Sequence, residues 1–112
     1  MKMNDDIIKA DSYDFDYRIE HGIVLSLFYD ELDTHCRALI PILEEVADTY
    51  YEYARIIAVE VEQSPDIAEI FAVNTLPTVL LFKDGKMYGR IEGMNPPTPY
   101  ENAIEDLISI GN

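Results

Sequence analysis

The chain alternates between short continuous apolar runs and longer stretches in which apolar positions recur with helical spacing. Runs rich in β-branched and aromatic residues at 23–29, 56–61 and 78–82 are typical of buried strands. Between the first two runs, apolar residues recur at steps of three and four, which predicts a helix with one apolar face. That face consists of Cys36, Leu39, Ile40, Leu43, Val46, Ala47 and Tyr50, and Pro41 within the pattern predicts a kink.

Turn-forming residues divide the second half of the chain. Ser64-Pro65 is typical of a helix start, so we expect a short helix from there to about residue 72. Asp84-Gly85 supplies the two positive-φ positions of a tight hairpin turn. The hairpin predicts an antiparallel edge strand at residues 87–92.

The two ends of the chain each predict a helix. Thr98, Pro99 and Glu101 form a capping box, so the final helix is expected to begin directly after a Thr98 cap. Residues 13–20 alternate as a strand would, but apolar pairs four apart and a Ser12 cap favour a helix there. A short strand is expected near Ile7-Ile8.

These elements combine into one α/β domain. Right-handed crossovers make the first strands parallel, and the hairpin adds an antiparallel edge. The result is a small three-layer α/β sandwich. A length of 112 residues fits a single domain over residues 1–112.

The charge balance limits the partners that the surface can attract. There are 22 acidic and 8 basic residues, a formal net charge of −14. Such a surface repels polyanions, so neither nucleic acid nor an anionic membrane is an expected partner. An apolar content of 48% is too high for a disordered acidic chain. Because the sequence has neither a signal-peptide pattern nor a long apolar span, we expect a cytoplasmic protein.

The order and spacing of several motifs resemble the thioredoxin family across nearly the whole chain. They are Asp33-Thr34-His35-Cys36 after the first long strand, Pro41-Ile42-Leu43, Leu76-Pro77-Thr78, Phe82-Lys83-Asp84-Gly85 and Gly93. The resemblance implies a thioredoxin-like three-layer α/β/α sandwich. Its central sheet would be mixed, and Pro77 would lie in the family's cis-proline loop.

The active-site box departs from the family pattern. The family's Trp-Cys-x-x-Cys box aligns with Leu32 to Cys36, so the attacking cysteine is replaced by Asp33 and only Cys36 remains. The family's buried carboxylate aligns with Leu27 and its partner lysine with Ala58. Dithiol exchange needs one thiolate to attack and a second to resolve the mixed disulfide. A dithiol reductase is therefore not expected.

Each residue of the box has two interpretations. Cys36 is either a monothiol that forms mixed disulfides or a small buried hydrophobe. Burial and acidic neighbours would raise its thiol pKa and make the thiol slow to react. Asp33 is either an acid near a substrate or a helix cap. His35 is either a general base or an exposed loop residue. These residues lack a convincing metal-binding geometry, so we expect neither a metal nor a cofactor.

The resemblance also implies a polypeptide-binding groove beside Pro77, whose loop in the family pairs with an extended chain. We assign to this cis-proline groove Tyr29, Leu32, Thr34, His35, Thr75, Leu76, Pro77 and Met94. Binding there needs no cysteine. The acidic residues around it serve either solubility alone or the attraction of basic segments.

Two functions follow as hypotheses. The preferred one is a polypeptide-binding accessory or chaperone-like module that uses the cis-proline groove. The alternative is a monothiol thiol–disulfide oxidoreductase that acts through Cys36 in cell redox homeostasis. The expected partner is a polypeptide or protein client, and the expected state is a monomer or a weak homodimer.

Overall fold

The protein is described from a computed structural model that covers residues 3–110; the ends of the predicted domain, 1–2 and 111–112, lie outside the described residues. Within residues 3–110 the strands are β1 (Ile7–Ala10), β2 (Ile23–Tyr29), β3 (Ala54–Glu60), β4 (Thr78–Lys83) and β5 (Lys86–Glu92). The helices of the same range are α1 (Phe15–Ile19), α2 (Thr34–Thr49), α3 (Pro65–Ile70) and α4 (Thr98–Ser109). The strands form one sheet in the order β1-β3-β2-β4-β5.

The sheet is mixed, as predicted, but its direction changes earlier than expected. β1, β3 and β2 are parallel, whereas β4 already runs antiparallel to β2 and β5 antiparallel to β4. The connection from β3 to β4 ends where it began, at the carboxyl end of the parallel strands, because Thr78 lies opposite Phe28 near the end of β2. β4 therefore runs back along β2, and the two strands are antiparallel.

Helices cover both faces of the sheet, which confirms the predicted three-layer sandwich. On one face, α2 and α4 pack against β2 and β3 through residues such as Leu43, Ile104 and Leu25. On the other face, α1 and α3 cover a core in which the Phe15 ring lies 6.1 Å from Phe28 and 5.9 Å from Phe82, centroid to centroid, in edge-on contacts. Both faces of β2 are therefore buried, which explains its continuous apolar run.

Two predicted helix caps are wrong. α1 starts at Phe15 with Asp14 as its N-cap, and the Ser12 hydroxyl instead bonds to the Asp66 carboxylate at 2.5 Å. α4 starts at Thr98, because the backbone of Pro97 is already helical and takes the N-cap position. Thr98 therefore makes no capping bond. Predicted caps shift easily by one or two residues, because the backbone conformation of the preceding residue decides where a helix begins.

Side chains of the β4–β5 hairpin fix neighbouring segments. The hairpin turn has the predicted positive φ angles, 50° at Asp84 and 84° at Gly85. The Lys83 ammonium donates to the carbonyl of Leu107 at 2.7 Å and also to that of Ile110. A cation at this position satisfies carbonyls that the end of α4 leaves unpaired. The hairpin thereby holds the carboxyl end of α4 against the sheet.

Candidate functional site

The strand register brings three loops to one end of the sheet. Phe28 lies opposite Thr78, and Thr78 lies opposite Glu92. The ends of β2 and β5 and the start of β4 are therefore adjacent. The loops that follow or precede them are residues 30–33, 74–77 and 93–97. The Gly93 N–H donates to the Pro77 carbonyl at 2.8 Å and joins two of these loops.

Two aspartates organise the loop between β2 and α2. The Asp30 carboxylate accepts a hydrogen bond from the Leu32 N–H at 2.9 Å, and the Asp33 carboxylate accepts one from the Cys36 N–H at 3.0 Å. Asp33 has an extended backbone and is the N-cap of α2. The bond from Cys36 is the main cause of the lowered pKa of Asp33. The geometry supports the capping interpretation of Asp33.

Cys36 lies one turn into α2 with its side chain in the core. Its exposed fraction is 0%, and its Sγ accepts a hydrogen bond from the Asp30 N–H at 3.5 Å. The thiol pKa is raised to about 11, mainly by burial; the nearby charges of Asp33 and Asp30 contribute to the increase, and the Asp30 N–H opposes it. The sulfur is therefore a neutral thiol at pH 7. This environment supports the interpretation of Cys36 as a buried hydrophobe.

The two positions that would hold the family's proton-handling pair are apolar neighbours. Leu27 on β2 pairs directly with Ala58 on β3, and both side chains are buried. Neither can accept or donate a proton. A Cys36 thiolate would receive no assistance from this pair.

The structure distributes the predicted groove residues unevenly. Leu32 is 81% exposed and Met94 is 43% exposed, while Leu76 is half-buried. Thr75 is exposed, and Pro77 is buried behind a cis Leu76–Pro77 peptide bond. The three loops thus expose apolar side chains to solvent next to polar backbone groups.

His35 and Thr34 are exposed on the first turn of α2. His35 Nδ1 lies 3.9 Å from the Asp33 carboxylate, and its side chain points into solvent. A general-base role toward the buried Cys36 sulfur has no support in this geometry. Within residues 3–110, no cluster of three or more histidine, cysteine or carboxylate side chains is placed to hold a metal.

Tyr29 was assigned to the groove, and that assignment is wrong. Only 2% of Tyr29 is exposed, and its ring joins the core beneath α2 and α4. Side chains alternate along a strand, so Tyr29 points to the same face as Leu25 and Leu27. The burial raises its pKa to about 12, with smaller contributions from the charges of Glu60 and Glu31.

Two features of the site were missed in the sequence. The first is Asp30, whose carboxylate holds the loop before α2; an aspartate two residues before an exposed leucine is a recognisable turn signal. The second is the backbone of Leu76. Within residues 3–110, neither its N–H nor its carbonyl takes part in a backbone hydrogen bond. No sequence pattern reports that state, because it depends on which segments lie alongside.

Known proteins similar to this chain point to one family. A family model described as thioredoxin matches residues 6–106. The thioredoxin of Staphylococcus epidermidis is 35% identical over 101 residues, which cover 90% of this chain and 94% of the relative. Oxidized mitochondrial thioredoxin 3 from Saccharomyces cerevisiae is 33% identical and has a TM-score of 0.82, with 90% of this chain and 95% of that chain covered.

A further likeness concerns the fold alone. A mutant thioredoxin from Halobacterium salinarum has a TM-score of 0.86 at 21% identity, and the match covers 100% of this chain and 99% of that chain. In the described part of the chain, no helix is both long and apolar enough to span a membrane. The family match, the register of the mixed sheet and the spacing of the three loops agree: the chain belongs to the thioredoxin family and carries a single cysteine in place of the family's pair.

Proposed function

We propose that this protein is a polypeptide-binding accessory or chaperone-like module. It would hold an extended client segment in the cis-proline groove. Without Tyr29, which belongs to the core, the groove comprises Leu32, Thr34, His35, Thr75, Leu76, Pro77 and Met94. The chemistry of binding would be non-covalent. Cys36 would contribute packing rather than a reacting sulfur.

The unpaired backbone of Leu76 carries this proposal. Its N–H and carbonyl form no backbone hydrogen bond within residues 3–110, although the neighbouring Pro77 carbonyl is paired with Gly93. Unpaired backbone groups at the end of a strand are suited to an added strand, which supplies one donor and one acceptor. The exposed side chains of Leu32 and Met94 belong to the other two loops at this end of the sheet and offer apolar contacts for client residues.

The charges around the groove favour a basic client. Asp30, Glu31 and Asp33 lie in one loop of the site. Glu60 and Glu92 are the last residues of β3 and β5, at the same end of the sheet. A segment with apolar residues between lysines or arginines would complement both features. Such complementarity chiefly raises the association rate and weakens with salt.

The test measures binding of a fluorescent extended peptide with a Leu-Val-Leu core flanked by lysines. We expect Leu32→Ser to weaken binding about tenfold, corresponding to about 1.4 kcal/mol. Tyr51→Ser is the matched control, because Tyr51 is 72% exposed and follows α2 at the other end of the sheet. Cys36→Ala, checked for folding, should bind as the parent does. Equal losses in Leu32→Ser and Tyr51→Ser, or loss of binding in Cys36→Ala, would contradict the proposal.

The second candidate function is monothiol exchange through Cys36 in cell redox homeostasis. It is favoured by relatives named thioredoxin and by the position of Cys36 in the first turns of α2. A Cys36 thiolate would attack a client disulfide, bond to one client sulfur and release the other as a thiolate. Trapping of a mixed disulfide at neutral pH, absent in Cys36→Ala, would favour this function over the first.

We also propose that the protein acts in the cytoplasm as a monomer or weak homodimer. Light scattering with and without reductant tests the oligomeric state. A dimer that disappears on reduction would indicate a bridge between two Cys36 side chains.

A further inference from the structure

A pocket that the proposed function does not use lies far from the cis-proline groove. Its volume is about 350 Å³, and its lining residues are Ile8, Tyr17, Arg18, His21, Arg55 and Ile57. We name it the arginine pocket. Arg55 is near the start of β3 and His21 precedes β2, whereas the groove lies where β2 ends. The start of β2, beside His21, lies about 20 Å along the strand from its end at the groove.

The arginine pocket brings together basic side chains of an acidic protein. The chain has four arginines and two histidines against 22 acidic residues, and two of those arginines and one histidine line this pocket. Acidic residues accompany these side chains: Asp14 pairs with Arg18, the Glu20 carboxylate lies 3.8 Å from His21, and Asp6 precedes β1 next to Arg55 in register. At 0.15 M salt the Debye length is about 8 Å, so acidic groups at the other end of the sheet contribute little here.

Both guanidinium groups keep donors available. The Nε of Arg18 is bound by the Asp14 carboxylate at 3.0 Å, which orients the group and leaves its terminal amino groups without a partner in residues 3–110. Arg55 forms no hydrogen bond or ion pair in the same range. It pairs in register with Val24 and so lies on the same face of β3 as Ile57, which lines the pocket. One guanidinium group oriented by Asp14 and a second one without a partner in the same range are suited to an anion with several oxygens.

The remaining walls are apolar or aromatic. Ile8 and Ile57 are paired on neighbouring strands and form the base, and Tyr17 presents an exposed ring beside them. A bare inorganic ion would leave these surfaces unused. The volume lies near the lower end of the range for small-molecule sites, about 300 to 1,000 Å³.

We propose that the arginine pocket binds a small phosphate ester. Arg18 and Arg55 would donate to the phosphate oxygens, with His21 as a third donor, and the organic group would pack on Ile8, Ile57 and Tyr17. This assignment is independent of the polypeptide-binding role of the cis-proline groove.

The test is a titration of the ¹⁵N-labelled protein with phenyl phosphate in 0.15 M NaCl, followed by amide chemical shifts. We expect saturable shifts confined to residues 8, 17–21 and 55–57, and weaker binding of inorganic phosphate, which lacks the organic group. Shifts that do not saturate, that spread over the surface, or that sodium chloride reproduces at equal ionic strength would overturn the proposal. Equal affinity for inorganic phosphate would overturn the role of Ile8, Ile57 and Tyr17.

Matched variants separate the pocket from general charge. Arg55→Gln should weaken phenyl phosphate binding at least about tenfold, and Arg55→Lys by less, since it keeps the charge but loses the fork geometry. Arg37→Gln removes the same charge from an exposed position on α2 and should leave the affinity unchanged. Equal weakening by Arg37→Gln and Arg55→Gln would contradict a specific site.

Discussion

The Asp33 carboxylate accepts a hydrogen bond from the backbone N–H of Cys36 at 3.0 Å. In the redox members of the family that Asp33 position holds the attacking cysteine, and Cys36 aligns with the resolving one. Here the first position ends the loop and starts α2, while the second fills the core. The same two positions that would perform exchange now stabilise the helix.

Removal of this cap should lower stability in a pH-dependent way. The lowered pKa of Asp33 means that its contribution is complete above the ordinary carboxyl pKa and is lost as pH falls through the lowered value. Asp33→Ala should therefore reduce the Tm at pH 7 and much less at pH 2. Asp33→Asn keeps a capping oxygen and is the control. A Tm of Asp33→Ala equal to that of the parent at pH 7 would disprove the capping role.

The Cys36 thiol should react slowly at neutral pH. With a pKa raised to about 11, mainly by burial, its alkylation by iodoacetamide should accelerate with pH well beyond 9. A rate that levels off near pH 8 would show an accessible thiolate instead.

The same raised pKa predicts a loss of stability in base. The unfolded thiol ionises near pH 9 and the folded one near pH 11, so the unfolded state binds fewer protons between these values. Stability attributable to Cys36 is complete below pH 9 and is lost as pH rises to about 11. Urea unfolding of the parent and of Cys36→Ala across this range isolates the effect from that of Tyr29. Parallel curves would contradict it.

Asp33→Cys should restore a dithiol but not a fast reductase. The new thiol would lie three residues before Cys36 at the start of the same helix, so mild oxidation should reduce the free-thiol count from two to zero. Exchange with a protein disulfide should stay slow, because Leu27 and Ala58 cannot transfer protons to the buried sulfur. Asp33→Ser is the control and should retain one thiol. Persistence of two free thiols after oxidation would show that the surrounding structure keeps the two sulfur atoms too far apart to form a disulfide.

Removal of two buried hydroxyl groups should change the stability of the protein in opposite directions. Within the described part of the chain the Ser26 hydroxyl has no hydrogen-bond partner, so Ser26→Ala should stabilise the protein by about 1 kcal/mol. The Thr78 hydroxyl donates to the Thr75 carbonyl at 2.5 Å, so Thr78→Val should destabilise it by about 1 kcal/mol. Urea denaturation measures both. Destabilisation by Ser26→Ala would mean that its hydroxyl is satisfied in solution.

Most of the secondary structure could be predicted from patterns of neighbouring residues. The continuous apolar run at 23–29 and the Asp84-Gly85 turn each depend on nearby residues, and both elements are present at the predicted positions. The direction of β4 depends instead on which end of the sheet the connection from β3 reaches, and no local pattern reports that end. The cap of α4 moved by one residue because the backbone of Pro97 is already helical.

The parts of the site that follow from local sequence spacing could be predicted. Cys36 lies on the apolar face of a helical pattern, and its burial follows from that spacing. The burial of Tyr29 required strand alternation to be counted from Leu27, which the uninterrupted apolar run concealed. The arginine pocket joins β1, α1 and β3, and no local pattern reveals that Arg18 and Arg55 line the same pocket.

The position of α4 affects how the domain is completed during synthesis. Ile104 and Leu107 pack in the same cluster as Leu25 and Leu27 of the central strand β2. A nascent chain that has emerged only as far as β5 would leave that face of β2 open to water. The hydrophobic core on this face therefore closes only after α4 has emerged, and ribosome-bound chains lacking α4 should remain sensitive to protease.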